Sequence, residues 1–165
     1  MVEFGERELR DALGRFVTGV TVVTTMTPEG PLGITANSFA SVSLRPPLVL
    51  WSPARKSRRF PAFEGASHFA VHVLSVGQQP LAEAFASPGD PFAAVAFGAG
   101  LGGVPLLDGC AARFECRHAA GHDAGDHLIV VGEVLRLAHS DLPPLIFHRG
   151  RYRALAALAH PGAAR

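Results

Sequence analysis

The side chains best suited to chemistry lie in one stretch, Gly33 to Phe60. It carries Thr35, Asn37, Ser38, Ser41 and Ser43 between two apolar segments, and then Arg55, Lys56, Ser57, Arg58 and Arg59 in succession. Beside Gly33 and Ile34, such small hydroxyl and amide groups can bond the polar edge of a flat ligand while letting the backbone come close to it. Ser52, Pro53 and Ala54 lead from the second apolar segment into the basic cluster. That cluster suits an anionic tail, because Ser and Arg donors just ahead of a helix add to the N–H groups of its first turn. On residue types alone the polar run also reads as a hydrogen-bonded turn, and Arg55 to Arg59 as a solvated face.

The densest titratable cluster is Cys116, His118, His122, Asp123, Asp126 and His127. Its spacings match no paired-ligand zinc pattern, and Gly121 and Gly125 mark a turn between strands, so no metal is expected. His68 and His72 share a strand face, where a core or interface role is the default. Cys116 reads as a small buried residue. The chain has neither a Ser/His/Asp nor a Cys/His arrangement for nucleophilic catalysis.

The elements that must position these groups are short. Leu9, Ala12, Leu13, Phe16 and Val17 recur at helical spacing, and Gly19 closes the pattern. Val20 to Thr25 is a β-branched strand, and the turn residues Thr27 to Gly30 return it as Leu32 to Ala36. Leu48 to Ser52 is a buried strand, and the segment around Ser57 opens a short helix ending near Phe63. His68 to Leu74 alternates as a strand, with Phe69, Val71 and Val73 on one face. Leu81, Ala84 and Phe85 indicate a second helix closed by Ser87-Pro88-Gly89. Gly109 to His118 is a half-exposed strand, His127 to Ala138 the longest strand, and Pro144 to Leu155 the last. About seven short strands with two or three helices define a mainly β, small antiparallel barrel with peripheral helices.

At 165 residues the chain suits one domain spanning residues 1–165, with a tail after Leu155 expected to fray. It is 48% hydrophobic and 18% charged, with a mean hydropathy of +0.23. That is apolar for a soluble monomer and fits a chain that packs against its own copy. The net charge of +1 gives no global field for nucleic acid, and the basic cluster lacks interleaved aromatics. Pro91 to Leu107 is uncharged but holds four Gly and two Pro, a loop rather than a membrane span. The charged first residues argue against a secretory signal, and two cysteines argue against a disulfide framework. The expected location is the cytoplasm.

The blocks TGVTVVTT, GITANSF with SVSL and PPLVL, FAVHVL, GDHLIVVGEV and PLIFHRGRY occur in that order. Together they resemble the short-chain flavin reductases, split-barrel proteins that serve two-component flavin-dependent monooxygenases. The likeness runs from about Arg7 to Tyr152. It implies a homodimer, FMN or FAD with NADH or NADPH, and hydride transfer that makes reduced flavin for a separate monooxygenase. Such a transfer needs stacked rings and donors at the flavin edge, not a general base, which accounts for the missing catalytic arrangement. By this resemblance Gly33, Ile34, Thr35, Asn37 and Ser38 line the ring and Ser52, Pro53 and Ala54 follow it. Ser57, Arg58 and Arg59 take the phosphate, Ala84 and Phe85 touch the flavin, and His127, Phe147, His148 and Tyr152 meet the nicotinamide. His72 stands where similar proteins usually have Asn, and His148 where they often have an aromatic residue. A flavin carrier without catalysis, or an FMN-holding reductase of ferric chelates, are the alternatives on the same fold.

Overall fold

The computed structural model describes residues 3–156. In chain order the elements are α1 (Glu6–Leu13), β1 (Thr18–Gly19), β2 (Thr21–Thr27), β3 (Gly30–Ala36), β4 (Ala40–Leu44) and β5 (Pro47–Trp51). Then come α2 (Phe60–Glu64), β6 (His68–Val73), α3 (Gln79–Ala86), β7 (Gly98–Ala99) and β8 (Pro105–Leu106). The long strands β9 (Ala112–Ala124) and β10 (His127–His139) precede a terminal hairpin, β11 (Ile146–His148) and β12 (Arg151–Arg153).

Seven strands form one antiparallel sheet in the order β3-β2-β6-β9-β10-β5-β4. Its two edge strands, β3 and β4, are consecutive in the chain and joined only by residues 37–39. That connection reaches at most about 14 Å, whereas the edges of a flat seven-stranded sheet lie roughly 29 Å apart. The sheet therefore curls until its edges approach. Ser38 fastens the join: its hydroxyl accepts the Ser52 N–H at 2.9 Å and donates to the Ser52 carbonyl at 3.3 Å.

The curl encloses Val23, Val49, Trp51, Phe69, Val71 and Val130, and Phe60 and Phe63 of α2 close one end. A second cluster, with Val22, Leu74, Ala82, Phe85 and Leu145, lies between the other side of β2 and α3. Adjacent residues Val22 and Val23 thus serve opposite cores, so β2 is buried on both faces.

Several sequence expectations are corrected. The first helix ends at Leu13, where Gly14 caps it by donating to the Arg10 carbonyl at 2.9 Å, so Phe16 and Val17 lie beyond it. None of its residues is buried, and the stripe remains exposed at Leu13 (66%) and Phe16 (77%). Residues 40–44, read as part of a polar run, form strand β4. His68–Val73 is buried on both faces because the 104–107 segment covers the side opposite the curl, and His72 belongs to the interior. Strand β9 continues past Gly121, and the turn is Gly125-Asp126 alone. Glu115 on its outward face is buried, its carboxylate accepting the Leu101 N–H at 2.9 Å. The last segment is a hairpin, not one strand. Its turn, Arg149-Gly150, has both φ angles positive, 50° and 74°, as two-residue hairpin turns favour. The tail expected to fray lies, from residue 157 onward, outside the described residues.

Candidate functional site

The site begins where α3 crosses the edge strand β3. Gly33 makes the crossing possible: a Cβ there would lie 2.4 Å from Cε1 of Phe85, so the aromatic ring sits directly on the glycine. The Thr35 hydroxyl donates to the Ala82 carbonyl at 2.7 Å and fixes the helix in register. From the opposite side Arg59 clamps the helix end. Its guanidinium donates to the carbonyls of Phe85 (3.0 Å), Ser87 (2.8 Å) and Gly89 (3.1 Å). Burial, and then the neighbouring Arg58, hold its pKa below the ordinary value.

Two clefts open beside this helix end and share Ala86. The larger, about 530 Å³, is lined by Ser57, Arg58 and Arg59 on one side and by Ser87, Pro88 and Gly89 on the other. The smaller, about 210 Å³, is lined by Val20, Thr35, Ala36, Asn37, Phe147 and Tyr152. The pair makes a continuous groove, apolar with a polar edge at one end and basic at the other. Among the described residues the Asn37 carboxamide has no hydrogen-bond partner, and Arg58 has no carboxylate within ion-pair distance. The Thr18 hydroxyl is buried without a partner, and Thr18 faces Phe147 across the β1–β11 ladder. Groups held ready but unengaged are what a polar ring edge and an anionic tail would meet.

The other sequence candidates are distributed as follows. Ile34 packs against the enclosed core, leaving its backbone at the sheet edge. Ser38 and Ser52 bond each other. Pro53 is buried, and Ala54 bridges His127. Ser57 accepts the Arg59 N–H at 3.2 Å, so its hydroxyl helps shape the turn before α2. Arg55 is engaged by Asp123 and lies 5.1 Å over the Phe60 ring. Phe85 is fully buried and Ala84 exposed; neither lines either cleft, whereas Ala86 lines both. Sequence reasoning took Ser87-Pro88-Gly89 only as a helix stop and passed over Ala86, although the periodicity that buries Ala82 and Phe85 turns the next residue outward.

Phe147 and Tyr152 meet edge to face with centroids 5.4 Å apart and wall the smaller cleft. Burial, then Glu83, raise the Tyr152 pKa, so its hydroxyl keeps its proton at neutral pH. His127 and His148 do not line either cleft. His127 sits beyond the basic segment, its Nδ1 2.7 Å from the Asp126 carboxylate, and this contact lowers the Asp126 pKa. Burial pushes the Cys116 thiol up to about 12, which removes it as a nucleophile. Among the described residues no group of three potential metal ligands comes together, and no helix is long and apolar enough to cross a membrane.

This chain and its fold have known counterparts. The flavin reductase like domain matches residues 13–156, and the chain belongs to that family. It is 60% identical over 146 residues to the FMN reductase (NADH) SmoA of Agrobacterium fabrum, covering 88% of this chain and 84% of that one. It is 47% identical to the reductase component of the flavin-dependent trigonelline monooxygenase of Acinetobacter baylyi, over 88% of this chain but 48% of that protein, so it spans about half the length of that relative. The Streptomyces globisporus NADH:FAD oxidoreductase SgcE6, solved with NAD and FAD fragments, superposes with a TM-score of 0.90 at 38% identity, over 97% and 99% of the two chains.

Proposed function

We propose that this protein is an NAD(P)H:flavin oxidoreductase that reduces FMN or FAD and releases the reduced flavin to a separate flavin-dependent monooxygenase. The observation that carries the reading is the groove beside the C-terminal end of α3. Its Thr35–Asn37 end suits an isoalloxazine edge, and its Ser57–Arg58 end suits a ribityl phosphate. Relatives named as an FMN reductase (NADH) and as a monooxygenase reductase component support both halves of the statement. When bound, the flavin supplies the two-electron acceptor for a hydride from the dihydronicotinamide.

In this reading Asn37 and the edge backbone of β3 from Gly33 to Thr35 hold the ring, while Arg58 neutralises the phosphate. Arg59 keeps the α3 end in place so that Ala86 presents no bulk to the ligand. Phe147 and Tyr152 close the ring side and leave room for a stacked nicotinamide. His127 and His148 reach such a ligand only from elsewhere. A homodimer, whose second copy covers the apolar face of α1, is part of the proposal, as are a split barrel for the curled sheet and a cytoplasmic location.

The test is a flavin titration followed by fluorescence quenching. Asn37→Asp sets a carboxylate against the polar edge of the ring and is expected to weaken FMN binding more than about tenfold. Unchanged affinity would remove Asn37 from the site.

A further inference from the structure

The groove does not end at its basic side. A third cleft, about 240 Å³, shares Leu32, Arg59 and Gly89 with the cleft that Arg58 lines. Its far wall carries Glu29, from the β2–β3 turn, and Asp90, from the segment after α3. Two carboxylates against one guanidinium leave a formal charge of −1. The sign of the charge therefore reverses along the groove, from a free Arg58 to a pair of acids.

The fold places both acids and leaves them unneutralised. The Thr27 hydroxyl accepts the Glu29 N–H at 3.2 Å and donates to the Gly30 carbonyl at 3.0 Å, so the turn fixes where Glu29 stands. Asp90 Oδ1 accepts the Phe92 N–H at 3.0 Å, which orients its carboxylate. Arg59 lines the same cleft, but its guanidinium is taken by the carbonyls of Phe85, Ser87 and Gly89. Among the described residues neither Glu29 nor Asp90 has a cation within ion-pair distance. Phe92, in the same wall, is held edge to face between Phe85 and Phe97, with centroids at 5.0 and 5.1 Å, rather than presented for stacking.

This arrangement bears on which flavin enters. FMN ends at a single phosphate, which the Arg58 end takes. FAD continues from that point with a second phosphate and an adenosine, and the groove continues only past the residues shared with the acidic cleft. A phosphate there meets carboxylates, which accept hydrogen bonds and donate none, and finds no free cation. We propose that Glu29 and Asp90 select FMN over FAD, by setting negative charge where the second phosphate of FAD must pass. This rests on the flavin phosphate lying at Arg58, as in the function proposed above.

The test titrates riboflavin, FMN and FAD, followed by flavin fluorescence, into wild type and into Glu29→Gln/Asp90→Asn. Asn keeps an oxygen for the Phe92 N–H, so the turn after α3 is retained. Wild type is expected to bind FMN more tightly than FAD. The double variant is expected to cut that preference about threefold to tenfold by tightening FAD alone, as removal of nearby like charge requires. Added salt should narrow the wild-type preference and leave that of the variant unchanged. Equal or tighter binding of FAD by wild type overturns the proposal, as does an equal gain for FMN and FAD in the variant. Weaker FAD binding by the variant also overturns it, and would make the two acids acceptors for the ribose hydroxyls. FMN binding with an unaltered ratio overturns the proposal alone, whereas binding of no flavin by wild type overturns the groove reading as well. Should the double variant fail to fold by circular dichroism, Glu29→Gln alone, at an exposed turn position, carries the same comparison.

Discussion

At the scale of single residues, His72 shows how a buried polar group is tolerated. The ring is fully buried, with Nδ1 3.0 Å from the Val22 carbonyl and Nε2 accepting the Leu107 N–H at 3.1 Å. Only the neutral ring protonated on Nδ1 satisfies both partners. Burial, with a smaller contribution from Arg113 opposite on β9, depresses its pKa to about 4, against the raising effect of the Val22 bond. Because the folded state resists the proton that the unfolded state accepts, the stabilisation is complete above about pH 6.5 and is lost as pH falls toward 4, roughly 3 kcal/mol in all. Asn offers the same donor and acceptor without titrating. His72→Asn is therefore expected to flatten the fall in urea midpoint between pH 7 and pH 5 relative to wild type; parallel falls would show that His72 does not titrate on unfolding. The sequence shows an alternating strand and an unexpected His here, but not the 104–107 segment that buries it. That cover comes from a short segment around β8 with no periodic signal in the sequence.

At the scale of elements, the groove depends on how α3 is held. Gly33→Ala drives a methyl into the Phe85 ring and is expected to cost about 1–3 kcal/mol, as overpacking does, with weaker flavin binding because Ala86 moves with the helix. A variant as stable as wild type would mean the helix yields at no cost. Arg59→Ala, which unclamps the helix end, should lower thermal stability and weaken all flavins together. Arg58→Ala should leave stability unchanged and weaken FMN and FAD but not riboflavin, which has no phosphate. The reverse pattern in thermal melts and flavin titrations would exchange their roles. The sequence made the two arginines equivalent neighbours; only the fold shows that one reaches the carbonyls of α3 while the other stays free. Similarly, Gly33 reads in sequence as room for a ligand, whereas its immediate occupant is Phe85. The β2–β3 hairpin was legible because β-branched runs flank a Thr-Pro-Glu-Gly turn. β4 was not, since its Ser-rich alternation resembles a loop until β5 pairs with it.

At the scale of the molecule, apolar surface remains to be covered. Leu13 and Phe16, with Leu137 (63%) on β10 and Leu44 (90%) at the β4 edge, are exposed, and scattered singly they would need no explanation. Leu9 and Leu13 on α1 with Phe16 just past its end are different, because they lie together and burying each such side chain is worth about 1.5–3 kcal/mol. Leu13→Glu/Phe16→Glu is expected to shift the protein from dimer to monomer in sedimentation velocity; a dimer that persists would place the interface elsewhere. The composition indicated a partner of this kind, though α1 was equally readable as a helix of the core.

The groove beside α3 is joined to NAD(P)H-dependent flavin reduction. This link is tested most directly by following NADH absorbance with purified protein, first without flavin, then with FMN or riboflavin, in wild type and Arg58→Ala. Oxidation is expected to require added flavin, and the Arg58→Ala variant to show a raised KM for FMN while riboflavin is unaffected. No NADH or NADPH oxidation despite flavin binding would contradict it and leave a flavin carrier, and equal losses for FMN and riboflavin would move the phosphate out of the groove.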